Sequence, residues 1–289
     1  MTTDKFPLLF TDDVEAIPLD EADDIEHVVQ ATKLLLARHL AKSGEFIADV
    51  HVKTHGYADG ELRVLPNLPD ELAQGLFAHE GVHRSVVRFS NAASQPQADA
   101  LPDGRGMAVK VLGVTGDLVS ADAPGSPAQD FLMINHPVFF AKNVKDFLRF
   151  ERVLVHANDN PLATAQGALT GGDWNPLNWH WREMLTVAQI AGHLPAHPAS
   201  NTYFSASPIR FGRYVAKYRV KPAGDRLDSH HSMPRLSQEP RRIGGRQAGE
   251  IDDQSHVTLS PDWPWESEPL SAGPEPPVGR RRSCIRFRA

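Results

Sequence analysis

Two histidines four residues apart, His51 and His55, are the first residues whose side chains could transfer protons or bind a metal. The flanking Val50 and Val52 in DVHVKTHGYA predict an extended segment in which both histidines and Lys53 share one face. An imidazole there could exchange protons near neutral pH. Either histidine could do so, although the glycine after His55 favours a structural role for it. A shared metal site is disfavoured because no acidic residue has HExxH-like spacing.

Three later segments contain polar residues that could complete a site. They are VVRFSN (86–91), DGRGMAVKV (103–111) and FLMINHPVFF (131–140). Alternation of β-branched and polar residues in the first two predicts strands with one polar-bearing face. Pro137 removes an amide donor and biases His136 away from helix, which places Asn135 at the end of a strand. Taken alone, Ser90 and Asn135 are ordinary hydrogen-bonding residues of strand ends. The default interpretation of the aromatic residues is a packed core: Phe139, Phe140 and Phe147.

Hydrophobic periodicity predicts the elements that must position these residues. Helices are predicted at 20–42, 70–79, 143–156 and 179–191. Extended runs at 45–52 and 61–65 are joined by a glycine-containing turn at 55–60, which indicates a hairpin. A loop is predicted at 117–129 and one strand at 209–220.

Composition and charge restrict the class of protein. The 289 residues are 41% hydrophobic and have a net charge of −6, so a buried core is expected and nucleic acid is an unfavourable partner. No apolar run approaches the roughly 20 residues that span a bilayer. The single cysteine, Cys284, excludes a disulfide within the chain, and the N-terminus lacks the pattern of a secretory signal. A cytoplasmic protein without a membrane span is therefore expected.

The composition changes near residue 224, which predicts one domain over 1–223 and a separate tail over 224–289. Arginine, proline, serine and glycine supply 30 of the 61 residues from 229 to 289, whereas Leu, Ile, Val and Phe number nine. So little apolar surface does not offset the entropy of ordering the chain, and a disordered tail is expected. Its basic end, GRRRSCIRFRA, is interpreted as a solvated charge run, with an acidic partner as the alternative.

The order of these motifs, completed by FGRYVAKY (211–218), resembles the haem catalases. It is most similar to the small, single-domain catalase-related peroxidases, over roughly residues 40 to 220. The resemblance implies an α+β fold, in which helices flank a closed antiparallel β-barrel. It also implies haem b as cofactor, hydrogen peroxide or a small organic hydroperoxide as substrate, and a possible homo-oligomer.

The resemblance assigns roles residue by residue. His51 resembles the distal histidine that moves a proton between the two peroxide oxygens, and Asn135 resembles the amide that hydrogen-bonds them. Ser90 resembles the hydroxyl that orients the imidazole. Arg88 matches a cation that meets a haem propionate. The remaining matches are apolar contacts of the porphyrin: Val50, Phe139, Phe140 and Phe147.

The chain departs from the family where the iron ligand should be. The family uses a tyrosinate with an arginine four residues earlier, and this chain has nothing comparable, so the metal ligand is not identified. Tyr214 follows Arg210 at that spacing, but in a strand matching another family segment, and Cys284 follows Arg280 in the unusual tail. Ala48 replaces a propionate-binding arginine. Two functions follow: a haem peroxidase or catalase, or a non-catalytic catalase-like protein with weak or no haem binding.

Overall fold

The computed structural model describes residues 8–44, 48, 50–94, 96–98, 100–116, 127–158, 160–194 and 197–222, and the backbone of 254–259 and 285–288. Within these ranges the fold combines a curled antiparallel sheet with four α-helices. The helices are α1 (Glu21–Ser43), α2 (Val144–Ala157), α3 (Pro161–Thr170) and α4 (Trp181–Ala191). Among the described residues, no helix combines the length and apolar character needed to cross a membrane.

The sheet is a meander of long strands followed by shorter ones. The strands are β1 (Thr54–Val64), β2 (Gly81–Asn91), β3 (Arg105–Leu112), β4 (Ala128–Ile134), β5 (Tyr203–Ser205), β6 (Ile209–Phe211), β7 (Tyr214–Ala216) and β8 (Tyr218–Pro222). Each of β1 to β4 pairs with the next strand, and β5 then pairs with β8, all antiparallel. β6 and β7 form a separate hairpin. Strands β9 (Gln254–Leu259) and β10 (Ile285–Arg288) pair with each other, and also with β8 and β1 respectively.

The concave face of the sheet contains the hydrophobic core. Side chains alternate between the two faces of a strand, so Val87 of β2 meets Val109 of the neighbouring β3 there. Val109 is 1% exposed, and burying such a side chain contributes roughly 1.5–3 kcal/mol. Phe77 lies across the core with its ring centroid 6.1 Å from that of Phe131. The opposite face of β2 and β3 is more exposed and bears charged residues such as Lys110.

Helices α1 and α2 pack on each other, and their ends follow local rules. Acidic residues occupy the first turn of α1, where they favour the positive end of the helix dipole. Gly44 ends it in the left-handed conformation, with φ of 72°. Asn143 caps α2 by accepting a hydrogen bond from the Asp146 amide. Arg38 of α1 donates to the Val155 carbonyl of α2 and so joins the pair.

Several sequence predictions are confirmed, namely α1, β2, β3, β4, α2 and α4. The ends of α1, β3, α2 and α4 shift by one or two residues, whereas β2 begins five residues and β4 three residues earlier than predicted, so β4 includes the end of the predicted loop. The α3 helix was not predicted from the sequence. The predicted hairpin at 45–65 is wrong, because β1 is a continuous strand in which almost every residue pairs with β2. The predicted 70–79 helix is a single 3₁₀ turn at Gly75–Phe77, and Gly75 at its start has a left-handed φ of 51°.

The predicted strand at 209–220 is also wrong as a single element. Gly212, with φ of 60°, turns the chain between β6 and β7, and β8 begins only at Tyr218. A combined α and β fold is confirmed. Predictions for residues 117–126 concern positions outside the described residues. The tail that was predicted to be disordered contributes two strands, β9 and β10, and its other residues lie outside the described part of the chain.

Candidate functional site

His51 lies before β1, and the prediction that it is a strand residue facing the same side as His55 is wrong. Its φ is 53°, in the left-handed region that few residues other than glycine adopt. Its amide donates to the Ala92 carbonyl at 3.4 Å, at the far end of β2. His55 is 5% exposed and bonds elsewhere. Backbone strain of this kind is often found at functional sites, because the surrounding structure must enforce it.

The His51 ring lies against the outer face of β2 and β3. Its Nδ1 is 3.1 Å from Ser90 Oγ, so the hydrogen bond expected for this pair is present. Gly106 of β3 is the direct cross-strand neighbour of Ser90. A Cβ atom at position 106 would lie 2.5 Å from both Nδ1 and Cε1 of His51. Glycine is therefore required for the ring to approach the sheet this closely, and sequence reasoning did not single out this residue.

Arg88, two residues before Ser90 on the same face, holds the turn that contains His51. Its Nη2 donates to the His51 carbonyl oxygen at 2.7 Å. Its Nε and Nη2 donate to Thr54 Oγ1 at 3.1 and 2.9 Å. Such charge-assisted hydrogen bonds stabilise the left-handed backbone at His51. The predicted contact of Arg88 with a haem propionate stays a prediction.

Asn135 lies at the end of β4, as predicted, and its hydrogen bonds go to the start of β3. Its Oδ1 accepts from the Arg105 amide at 2.8 Å, and its own amide donates to the Arg105 carbonyl at 3.0 Å. Arg105 precedes Gly106, so Asn135 is one residue removed from the contact with His51. Asn135 Nδ2 is buried and has no hydrogen-bond partner within the described part of the chain. Its role as a peroxide ligand stays a prediction.

On the inner face, the same strand ends hold a buried polar cluster. Asn91 Oδ1 accepts from Arg105 Nη1 at 2.9 Å and also contacts His55 Nε2. These three side chains are 0%, 2% and 5% exposed for Asn91, Arg105 and His55. Asp103 Oδ2 is 3.9 Å from Arg105 Nη1. Sequence reasoning missed Asn91 and Arg105, because charged and amide side chains are usually exposed.

The predicted apolar contacts form one aromatic cluster. The ring centroid of Phe140 lies 4.6 Å from that of Phe139, 6.1 Å from that of Phe147 and 4.8 Å from that of Phe150. All four rings are half-buried, so they are not a closed core. Val50, next to His51, is half-buried as well. Their contact with a porphyrin stays a prediction.

All four tyrosines of the chain lie within the described residues, and they differ in burial and in hydrogen bonding. Burial raises the pKa of Tyr203 and of Tyr218, whose hydroxyls donate to the carbonyls of Pro198 and Leu132. Tyr214 accepts from Arg213 Nε at 3.0 Å, whereas Arg210 binds the Gly212 carbonyl. Tyr57 is 68% exposed on β1.

His51 and Asn135 both lie at strand ends beside the start of β3, His51 through Ser90 and Gly106 and Asn135 through Arg105. Among the described tyrosines, Tyr214 accepts a hydrogen bond from an arginine side chain, that of Arg213. The described residues contain no group of three or more His, Cys, Asp or Glu side chains that could hold a metal. Cys284 lies outside them.

Comparison with known proteins gives similarity to solved structures alone. No family model matches the chain, and no curated protein matches it by sequence. Among solved structures, the chain is similar to a fungal catalase with 17% sequence identity and a TM-score of 0.38. The similarity covers 64% of this chain and 36% of the catalase chain, so it spans little more than a third of that protein.

Proposed function

We propose that this protein is a haem-dependent oxidoreductase that consumes hydrogen peroxide or a small organic hydroperoxide. The observation behind the proposal is the arrangement of His51, with its ring against Gly106 and its Nδ1 on Ser90 Oγ. The orientation of the His51 ring is fixed by its backbone turn, by the hydrogen bond to the Ser90 hydroxyl and by close packing against Gly106. Fixed orientation is what a general acid–base catalyst requires.

The proton chemistry follows from the contact with Ser90. If Nδ1–H donates to Ser90 Oγ, the imidazole is neutral at Nε2, which can then accept a proton. His51 Nε2 takes the proton of one peroxide oxygen and returns it to the other, which leaves as water from hydrogen peroxide and as an alcohol from an organic hydroperoxide. A bound haem would supply the electrons for breaking the oxygen–oxygen bond. A second peroxide, which becomes oxygen, or an organic donor restores those electrons.

Other residues support this role in ways that are part of the same proposal. Arg88 holds the His51 turn and would also bind a haem propionate. Asn135 donates from Nδ2 to the substrate oxygens. Val50 and the cluster of Phe139, Phe140 and Phe147 pack against the porphyrin. Residues 1–223 form the haem domain, and β9 and β10 close its sheet into a barrel.

A second candidate is a catalase-like protein that lacks activity because it binds haem weakly or not at all. The specific observation in its favour is the raised pKa of two buried tyrosines. A phenolate ligand needs a lowered pKa, whereas burial raises the pKa of Tyr203 and Tyr218. The two candidates differ in whether the iron has an axial ligand from this chain.

Haem titration of the purified full-length chain separates the candidates. The first predicts a saturable Soret band and oxygen release or donor oxidation on adding peroxide. His51→Ala should retain the band and lose peroxide consumption by at least about 100-fold, since general acid–base catalysis contributes 10²–10⁴-fold. The matched control is His79→Ala, because His79 is exposed. Unchanged turnover in His51→Ala would refute the assignment, and absence of a saturable band would favour the second candidate.

A further inference from the structure

The unusual feature of the inner face is an arginine with an unused pair of donors. We propose that Arg105 binds a small planar oxyanion of the carboxylate type, such as formate, at the buried ends of β2 and β3. Arg105 starts β3, pairs directly with Asn91 of β2, and is 2% exposed. Its guanidinium is thus withdrawn from water and must be compensated by acceptors within the fold or by a ligand.

The hydrogen bonds of the guanidinium leave one complete edge unused. Only Nη1 has a partner, Asn91 Oδ1 at 2.9 Å. Nε and Nη2, which form the side edge of the guanidinium, are buried and have no hydrogen-bond partner among the described residues. Two parallel N–H groups on one edge match the two oxygens of a carboxylate, and such bidentate pairs are among the strongest hydrogen bonds in proteins.

The neighbouring carboxylate does not fill this edge. Asp103 Oδ2 stands 3.9 Å from Nη1, which is beyond hydrogen-bond reach, and it accepts instead from the Ala93 amide at 3.3 Å. Asp103 therefore lowers the electrostatic cost of burying Arg105 without satisfying Nε or Nη2. The unmet requirement is for oxygen acceptors at that edge.

Asn91, which contacts the same guanidinium through Nη1, has a further buried donor. Its Oδ1 receives Arg105 Nη1 and contacts His55 Nε2, whereas its Nδ2 is buried with no partner in the described ranges. A buried donor without an acceptor destabilises the fold, and a charged donor does so more strongly. Three such donors with no acceptor between them favour a ligand that brings several acceptor atoms. A planar oxyanion supplies them, and a halide offers only one contact point.

This site is separate from the one at His51. Ser90 and Gly106 point to the outer face, and their neighbours Asn91 and Arg105 point to the inner face, because successive residues of a strand alternate. The proposal does not rest on haem binding or on peroxide chemistry. It can be tested on the full-length chain with no haem added.

The probe is sodium formate, compared with sodium chloride at equal ionic strength. For the wild-type chain, we expect formate to raise the melting temperature saturably, by roughly 5–10 °C at 100 times the Kd. We also expect exchange broadening or a shifted signal for ¹³C-labelled formate. Arg105→Lys keeps the positive charge but removes the two parallel N–H donors. The rise in melting temperature and the change in the formate signal should therefore both disappear. The matched control is Arg84→Lys, which changes an exposed arginine of the neighbouring strand β2 that pairs with Asp59, and it should respond like the wild type.

A second variant keeps the test decisive if Arg105→Lys does not fold. Asn91→Asp replaces the Nδ2 donor by an acceptor beside Nη1, and its negative charge opposes a bound anion, so it should abolish the response to formate. No saturable shift in the wild type, or an equal shift in Asn91→Asp, would overturn the proposal. The absence of a saturable shift would mean that water alone hydrogen-bonds to these donors. An equal shift in Asn91→Asp would mean that formate acts as an adventitious additive only.

Discussion

The close approach of Gly106 to His51 makes Gly106→Ala the most informative single change in this protein. The added Cβ would lie 2.5 Å from Nδ1 and Cε1 of His51 and 2.8 Å from Ser90 Oγ. The ring must withdraw by about 0.9 Å to reach the 3.4 Å where ordinary van der Waals contact begins. A ring is stiff, and His51 is fixed by its backbone turn, so the displacement cannot be absorbed by a flexible chain end.

Two losses follow from that displacement. The contact between His51 Nδ1 and Ser90 Oγ, now 3.1 Å, is expected to lengthen beyond hydrogen-bond range, which costs about 1 kcal/mol. Overpacking adds to this, so the free energy of unfolding should fall by roughly 1–3 kcal/mol. If the proposed peroxide chemistry operates, a misplacement near 1 Å should lower its rate by about 100-fold.

Urea denaturation, imidazole ¹⁵N chemical shifts and peroxide consumption measure these effects separately. The matched control is Gly81→Ala at the start of β2, where a Cβ would meet only His83 Nε2 at an ordinary 3.6 Å. That control should change the unfolding free energy by less than about 0.5 kcal/mol. Wild-type stability together with unchanged His51 shifts in Gly106→Ala would refute the claim that glycine is needed for the ring to approach the sheet.

Three further outcomes are expected. His51→Gly should unfold with a free energy about 1 kcal/mol higher than His51→Ala, because glycine adopts the left-handed φ of 53° without strain, and equal urea midpoints would contradict this. Burial raises the pKa of Tyr203 and Tyr218, so the unfolded chain loses these protons first. Stability should therefore fall above about pH 10, by up to about 1.4 kcal/mol per pH unit for each tyrosine, and Tyr203→Phe should show a shallower decline in alkaline urea titrations. Asn143→Ala should cost α2 about 1 kcal/mol, since the side chain accepts from the Asp146 amide; an unchanged thermal midpoint would mean that this cap is unimportant.

The parts of the fold that could be predicted are those with a regular hydrophobic period. The α1 helix has one long apolar stripe, and β2 and β3 alternate cleanly, so their positions follow from the sequence alone. The errors occurred at glycines. Gly56 and Gly60 suggested a turn but lie within β1, where pairing with β2 outweighs their low strand preference, whereas Gly212 does make a turn. Glycine permits both outcomes, and tertiary pairing decides between them.

The candidate site could be predicted only in part, for a similar reason. His51 was a candidate because an imidazole can exchange protons near neutral pH, whereas Ser90 was selected only through the resemblance to the haem catalases. Gly106 contributes by the absence of a side chain, and the only available signal was a glycine inside the predicted strand GRGMAVKV. Arg105 was missed because nothing in a sequence distinguishes a buried arginine from an exposed one. The contributions of Gly106 and Arg105 both depend on which face of the sheet each position occupies.

A bulge at the start of β1 explains why the two histidines separate. His51 and His55 are four residues apart, so an undistorted strand would place both on one face. The pairing with β2 shifts by one residue between Thr54 and Gly56, which turns His55 inward beside Asn91. Before the bulge, the left-handed φ at His51 directs the chain to the outer face, where the ring meets Ser90. A β-bulge changes the face of every residue beyond it, so this local irregularity gives one strand end both an outward imidazole and an inward polar cluster.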